Sequence, residues 1–579
     1  MKALYRIASS ASLLSLAITA AGTVYGQTAP DAGLIYQESQ QDQLEPQQPS
    51  VDIQLQGEPL TRPEDGGAKA TVNELRFKGN TVFSSEQLLA VLGEDVFEKT
   101  YDLAGLQSLA NQISEFYRAQ SYPFARAVLP PQTLDNGTLQ ITVIEGRYGK
   151  VSTSGEPELA DTVEKFVQPL APGEVIESSE LERTLLIAGD LPGLKAVPVM
   201  RPGQEYGTGN LDIQVKPGDR FSGRLGVDNH GSRFSGEYRG RADLQANRLL
   251  MVGDELSLAA LYSSEDTWLS QFGYSMPLGY SGLRGRIGYD HTDYTLGKGF
   301  EGYTGTAKVL SAALSYPLIR SQQSNLRLSA RYQHKDLDDN ADFIGYEKAT
   351  ESQSLPITLQ FDHRDNLLGG GISYGSAAVT PGKLEIEQTS SSDNDYSFTK
   401  VNLDVVRLQM LTSSLTLFGR FSGQWSDQQD LDGSESFYLG GPNGVRAFPV
   451  GEGSDARGWL AQVELRYNLG HGLNPYLLFD SGHTPHGGID NEERDISGAG
   501  WVYASTMVTG TPIWFRPGKS MVVTLSRTGA REIHASGSTW VTSFNDAGRQ
   551  TNRLPASPAQ QSISSPPIIS YNSGLNPKL

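Results

Sequence analysis

Three groups of residues carry side chains that could do chemistry. Gly371-Ile372-Ser373-Tyr374-Gly375 matches G-x-S-x-G, the pattern that presents a serine as a nucleophile. That chemistry needs a strand, a sharp turn and then a helix. Here the serine sits in an alternating segment leading to a turn predicted at Pro381-Gly382, so an outer-membrane lipase is a distant reading. His363, between Asp362 and Asp365, has the residue types of a metal ligand or general base, but the chain has no H-E-x-x-H pattern and only 8 His. A strand-borne histidine facing solvent or a polar interior accounts for it, and His483 and His486 read as exposed loop residues. The third group is of another kind. Tyr438-Leu439-Gly440-Gly441-Pro442-Asn443-Gly444-Val445-Arg446-Ala447-Phe448 is a glycine-dense, turn-rich stretch with one arginine between hydrophobic residues. It runs through Gly451-Glu452-Gly453 into an alternating segment, Trp459 to Leu469. The chemistry on offer is a fixed positive charge delivered into a polar interior.

An interior must therefore exist to receive it. The chain has 579 residues, too long for one ordinary core unless part of it is a large barrel. Its net charge of -19 argues against nucleic acid as a partner. It has no Cys, so neither a disulfide framework nor a thiolate metal site is available. Lys2 and Arg6, the apolar run Ala8 to Ala21 and small residues near Ala21 and Gly26 read as a secretory signal over residues 1–26. No later stretch is long and apolar enough for a spanning helix. An exported chain of this kind is a soluble protein of the envelope, a secreted protein, or a membrane β-barrel.

Period-2 alternation from about residue 218 favours the barrel. Leu283 to Tyr289, Leu326 to Tyr332, Ala461 to Tyr467 and Phe221 to Asp228 each put apolar residues on one face. Charged or polar residues recur on the other. Tyr262, Tyr274, Tyr289, Tyr316, Tyr332, Tyr467 and Tyr476 lie near strand ends, as an interfacial girdle requires. Residues 218–545 suffice for about 16 strands at roughly 20 residues per strand and turn. The expectation is a transmembrane antiparallel β-barrel.

Before the barrel lie two βααββ modules, predicted over 72–146 and 147–217. In the first, a strand at Val72 to Phe77 leads to Ser84-Ser85-Glu86-Gln87, which fits a capping box. A second helix puts Leu103, Leu106, Leu109, Ile113, Phe116 and Tyr117 on one face. Strands at Ala125 to Leu129 and Thr138 to Ile144 complete it. In the second module Ser179-Glu180-Leu181-Glu182 suggests another capping box, with strands at Lys195 to Arg201 and Asn210 to Val215. Each helix pair needs no function beyond core packing. Residues 27–71 hold a Gln-rich stretch, Asp31 to Leu44, that reads either as a short polar helix or as a disordered tail. An extended Pro-rich linker follows. Asn545 to Leu579, rich in Ser, Pro, Gln and Asn, reads as disordered.

Taken together, these segments resemble the outer-membrane transporters of two-partner secretion, of the haemolysin- and haemagglutinin-activator type. That family belongs to the superfamily of barrels bearing periplasmic POTRA modules. The resemblance runs from about Ala32 to about Phe544. Gly440 to Phe448, with Gly451-Glu452-Gly453 and Arg457-Gly458, resembles the family's loop six. Phe361-Asp362-His363-Arg364-Asp365, Gly369-Gly370-Gly371 and Thr380-Pro381-Gly382-Lys383-Leu384 resemble its mid-barrel signature. Leu478-Phe479-Asp480-Ser481-Gly482 resembles its F-x-D-x-G strand, and Leu191-Pro192-Gly193 the L-P-G of the second module. The chain departs from the pattern where Ala447 replaces a glycine and Leu478 a phenylalanine, and in the tail after Phe544.

The resemblance implies that loop six, tipped by Val445, Arg446, Ala447 and Phe448, folds back into the barrel. There Arg446 meets Asp480 on the wall beside Gly482. It implies that the helix at Asp31 to Leu44 plugs the lumen, and that the modules grip an unfolded exoprotein at a strand edge and a neighbouring groove. Leu106, Leu109, Ile113, Phe116 and Tyr117 are the candidate contacts for that exoprotein. No catalytic residue, cofactor or metal is expected. The expected partners are an extended exoprotein, outer-membrane lipids and the barrel-assembly machinery. The alternative within the superfamily is a barrel-assembly insertase.

Overall fold

Alternating side chains leave an isolated strand no way to bury its apolar face or pair its backbone. The strands after residue 220 solve both problems by closing on themselves. The computed structural model describes residues 29–40, 45–48, 51, 69–389, 394–470, 473–487, 492–505, 525–526 and 540–545. The expected signal peptide, most of the linker and the tail beyond 545 lie outside the described residues. Among the described residues seventeen extended segments run in chain order round a closed barrel, which shuts where Trp540–Asn545 pairs antiparallel with Phe221–Asp228. Tyr346–Ser354 and Ile357–Asp365 both lie between Ser324–Ala341 and Gly371–Gln388, so they are one strand interrupted at Leu355-Pro356. Among the described residues the barrel therefore has sixteen staves, in agreement with the expectation of about 16.

The turn expected at Pro381-Gly382 does not form. Both residues lie inside the continuous strand Gly371–Gln388. The carbonyl of Pro381 accepts from the amide of Leu355, so the side on which proline lacks a donor faces the interruption in the neighbouring strand. Ser373 lies in the same strand, where Arg407 donates to its hydroxyl at 2.9 Å. The strand-turn-helix of a nucleophile elbow is absent at this serine.

The outer face carries exposed Leu244, Phe272, Ile287, Leu310, Leu403, Phe421, Val463, Leu477 and Trp501. This is the apolar belt that lipid requires. Tyr262, Tyr289, Tyr332 and Tyr467 are exposed with it. Tyr476 is not part of the girdle. Leu477 and Phe479 point outward, so Tyr476, Leu478 and Asp480 point into the lumen.

In the first module β1 (Ala70–Val72) pairs with β3 (Lys99–Tyr101), while β2 (Glu74–Lys78), β5 (Thr138–Ile144) and β4 (Arg126–Val128) form a sheet in the order β2-β5-β4. Two helices, α2 (Ser85–Leu92) and α3 (Leu103–Ala119), pack on it. Ser84 and Gln87 make the expected capping box. The apolar face of α3 belongs to the core. Leu106, Leu109, Ile113 and Tyr117 are buried, Phe116 is partly buried, and the Tyr117 hydroxyl donates to Glu145 at 3.0 Å. These five side chains hold the module together, and the four buried ones are not offered to an incoming chain.

The second module repeats the pattern with β6 (Arg147–Gly155), α4 (Pro157–Phe166), α5 (Ser178–Gly189), β7 (Leu194–Pro202) and β8 (Thr208–Pro217). No capping box forms at Ser179. The helix begins two residues earlier than such a cap would set it, with Glu177 at its cap, and the Ser178 hydroxyl donates to the carbonyl of Ser121. This module is fastened to the barrel by Arg320. Its guanidinium, fully buried, makes two bonds of 2.8 Å to Asp190 and a third, of 3.1 Å, to the carbonyl of Gln48 in the linker. Asp362 accepts from the amide of Gln47, and Arg364 donates to that residue's carbonyl. The mid-barrel signature is thus where linker and wall meet.

Candidate functional site

The segment between strands Leu415–Ser426 and Gly458–Tyr467 turns back into the lumen instead of leaving the barrel. Its glycines permit the course. Gly441, Gly451 and Gly453 have positive φ, and a Cβ on Gly440 would lie 1.9 Å from the carbonyl oxygen of Pro449. Leu439, Val445, Ala447 and Phe448 bury themselves with Leu460 and Ile496 of the wall, giving the loop an apolar foot. Ala447 is not among the positive-φ residues. Alanine therefore stands at the glycine position without backbone strain.

Arg446 reaches the wall from that foot. Its Nε and Nη2 donate to the two oxygens of Asp480 at 2.9 and 2.7 Å, and its own amide adds a bond of 3.1 Å. Nη1 donates to Glu464. Asp480 is fully buried. Burial works against the Arg446 charge, but Asp480 and then Glu464 outweigh it and hold the pKa above the ordinary arginine value. Gly482 leaves room for the loop, because a Cβ there would stand 2.8 Å from Leu439. The structure thus brings Val445, Arg446, Ala447, Phe448, Asp480 and Gly482 together.

Glu464 completes the site without having been singled out in the sequence. Gln462 is paired across the sheet with Asp480, and Glu464 stands two residues on, on the same inward face. That face was legible as polar, but the register that sets it diagonal to Asp480 was not. Gln462 donates to the carbonyl of Gly444 at 2.9 Å, and Arg494 of the wall pairs with Glu452 of the returning arm. On the descending arm Glu435 is buried between Lys335 and Lys400, at 2.7 and 2.8 Å. Burial alone would raise its pKa; the two lysines pull it down to about 2.

A helix, α1 (Ala32–Ser39), stands in the same lumen. Its N-terminus docks on the wall, where the amide of Ala32 donates to Asp339 at 2.7 Å. Tyr36 donates to Asp290 at 2.9 Å, and Glu38 accepts from the amide of Ser232 at 2.7 Å. Ile35 and Tyr36 pack against Phe234, Tyr294, Leu296, Val309 and Leu337. Of the residues expected to extend this helix, 41–44 lie outside the described residues. His483 sits beside Glu493 and Asp495, and His363 accepts or donates a hydrogen bond with Ser324 at 2.7 Å.

A lipid-belted barrel holding a loop pinned by its arginine and a helix in its lumen, with two α/β modules at its base, defines a class: outer-membrane pores that pass proteins. The comparisons agree. A family model described as "Haemolysin secretion/activation protein ShlB/FhaC/HecB" matches residues 207–503, and one described as "POTRA domain, ShlB-type" matches 70–146. The heme/hemopexin transporter protein HuxB of Haemophilus influenzae is 30% identical over 491 residues, covering 81% of this chain and 85% of the relative. The outer membrane transporter CdiB of Dickeya dadantii is 25% identical over 411 residues, covering 69% of this chain and 72% of that one. The solved structure of CdiB from Escherichia coli superposes with a TM-score of 0.63 at 21% identity, covering 84% of this chain and 93% of that one, and so shares the fold. The chain belongs to the haemolysin secretion/activation family. It is an outer-membrane transporter of the two-partner secretion type, which moves a secreted exoprotein partner.

Proposed function

We propose that the chain captures its exoprotein in the periplasm with the two modules, releases α1 from the lumen, and passes the exoprotein outward as an extended chain past loop six. The loop anchored on Asp480 and Glu464 carries this reading, since a pinned loop and a docked helix share one lumen that a crossing polypeptide must occupy. The cargo is a large β-helical protein of the adhesin, haemolysin or toxin kind. No ATP is needed, because folding on the far side supplies direction. The chain is read as non-enzymatic, without cofactor or metal. Lipids of the outer membrane surround the belt, and the barrel-assembly machinery inserts it.

Capture rests on sheet edges rather than on the buried face of α3. The first module leaves β2 and β4 at its edges, and an added strand gains backbone hydrogen bonds with little demand on sequence. Two modules and a lumenal helix favour secretion over an insertase role. Deleting residues 72–217 is expected to abolish export of the partner while the barrel remains a conducting pore. Export that persists without both modules would overturn the capture step.

A further inference from the structure

The lumen holds two elements besides its wall, α1 and loop six, and one lysine is bonded to both. Nζ of Lys348, on the wall strand Tyr346–Ser354, lies 3.2 Å from Oδ2 of Asp31 and 2.7 Å from Oδ2 of Asp432. Asp31 caps α1, accepting from the amide of Leu34 through Oδ1. Asp432 begins the descending arm of the loop, where its Oδ1 accepts from the amide of Ser434. The neighbouring lysines do not compete for these partners, since Lys335 and Lys400 both serve Glu435. Helix and loop touch directly as well: a Cβ on Gly33 would stand 2.2 Å from the amide nitrogen of Ser434, and one on Gly433 would stand 2.1 Å from Asp31.

We propose that Lys348 is a positioning residue that couples the two elements: one ammonium divided between the helix cap and the loop. This rests on reading α1 as the closure of the pore. With the helix docked, Lys348 serves two carboxylates that also repel one another. With the helix gone, it serves Asp432 alone. Linkage then fixes the sign. Weakening the loop's claim on Lys348 strengthens the hold on the helix.

The test is single-channel conductance of the purified full chain in planar lipid bilayers, with heat-modifiable mobility as the control for folding. Asp432→Asn keeps an oxygen for Ser434 but gives up the charge, so Lys348 turns wholly to Asp31. Open probability should fall about fivefold or more. Lys348→Gln withdraws the cation from both and should raise it by a similar factor, with Lys348→Arg returning it towards the native level. Opposite shifts support the coupling; a merely structural role would loosen the helix in both variants. Shifts of the same sign, or none, overturn the proposal if deleting residues 31–44 still opens the pore. If that deletion changes nothing, the closure reading itself fails and the coupling falls with it.

Discussion

Arg446 meets Asp480 and Glu464 at the end of a loop whose apolar foot is already fixed, so the pairing acts on a preset geometry. Removing the arginine would leave Asp480 buried without its cation, while Glu464 keeps Arg466 at 2.7 Å; stranding a buried charge in this way costs about 3–5 kcal/mol. Arg446→Lys keeps the charge but cannot grip Asp480 with two parallel donors, a loss of about 1.5–3 kcal/mol. Secretion by Arg446→Lys is therefore expected to fall well below native while staying above Arg446→Ala, measured as partner protein in the medium at equal barrel levels. Equal secretion by the lysine variant and the native chain would show that charge alone suffices. The sequence made Arg446 and Asp480 legible because both sit in motifs with distinctive neighbours. Glu464 carries no such mark. Its role comes from a cross-strand register that no local pattern encodes.

At the scale of elements, α1 shows how a polar helix can be buried. Its N-terminal amides and polar side chains are matched by wall carboxylates and loop amides rather than by a second helix. Burial pushes Glu38 up to about 7, against the pull of Arg239 and the bonds from Ser232 and Ser235, with Asp228 nearby adding to the rise. Asp31 is raised too, by burial first and by Asp432 second. For an acid whose docked pKa lies above its free value, stability of docking is fully present below the free value, near 4.5, and is lost as pH rises through about 7. For Glu38 this amounts to roughly 3 kcal/mol at most. Open probability is expected to rise between pH 5 and pH 7.5, and Glu38→Gln should flatten that rise. A native pore that closes as pH rises through this window would contradict the assignment. Periodicity disclosed the helices and strands well. It could not say which way a helical face points, and the stripe Leu106, Leu109, Ile113, Phe116 and Tyr117 proved to be core. Likewise Ser84 caps its helix and Ser179 does not, because the helix already starts at Ser178, which is bonded to Ser121, with the cap two residues early at Glu177.

Among the described residues the molecule is a barrel with sixteen staves that holds a loop and a helix in its lumen and is joined to its second module at Arg320. The barrel and both modules were legible because alternation and βααββ order are local signals repeated many times. The junction was not: Asp190, Arg320 and the pair Asp362 and Arg364 come from three separate places in the chain, and only the closed barrel brings them together with Gln47 and Gln48. Family membership and this architecture support the proposal that the chain exports its partner through its own lumen under the control of loop six. The direct measurement is the amount of that partner reaching the medium from cells that carry it with no transporter, with the native chain, or with Arg446→Ala, each checked for folded barrel in the outer membrane. Abundant partner is expected with the native chain, none without it, and a drop of tenfold order with Arg446→Ala although the barrel is present. Partner appearing in the medium without the transporter, or undiminished with Arg446→Ala, would contradict the proposal.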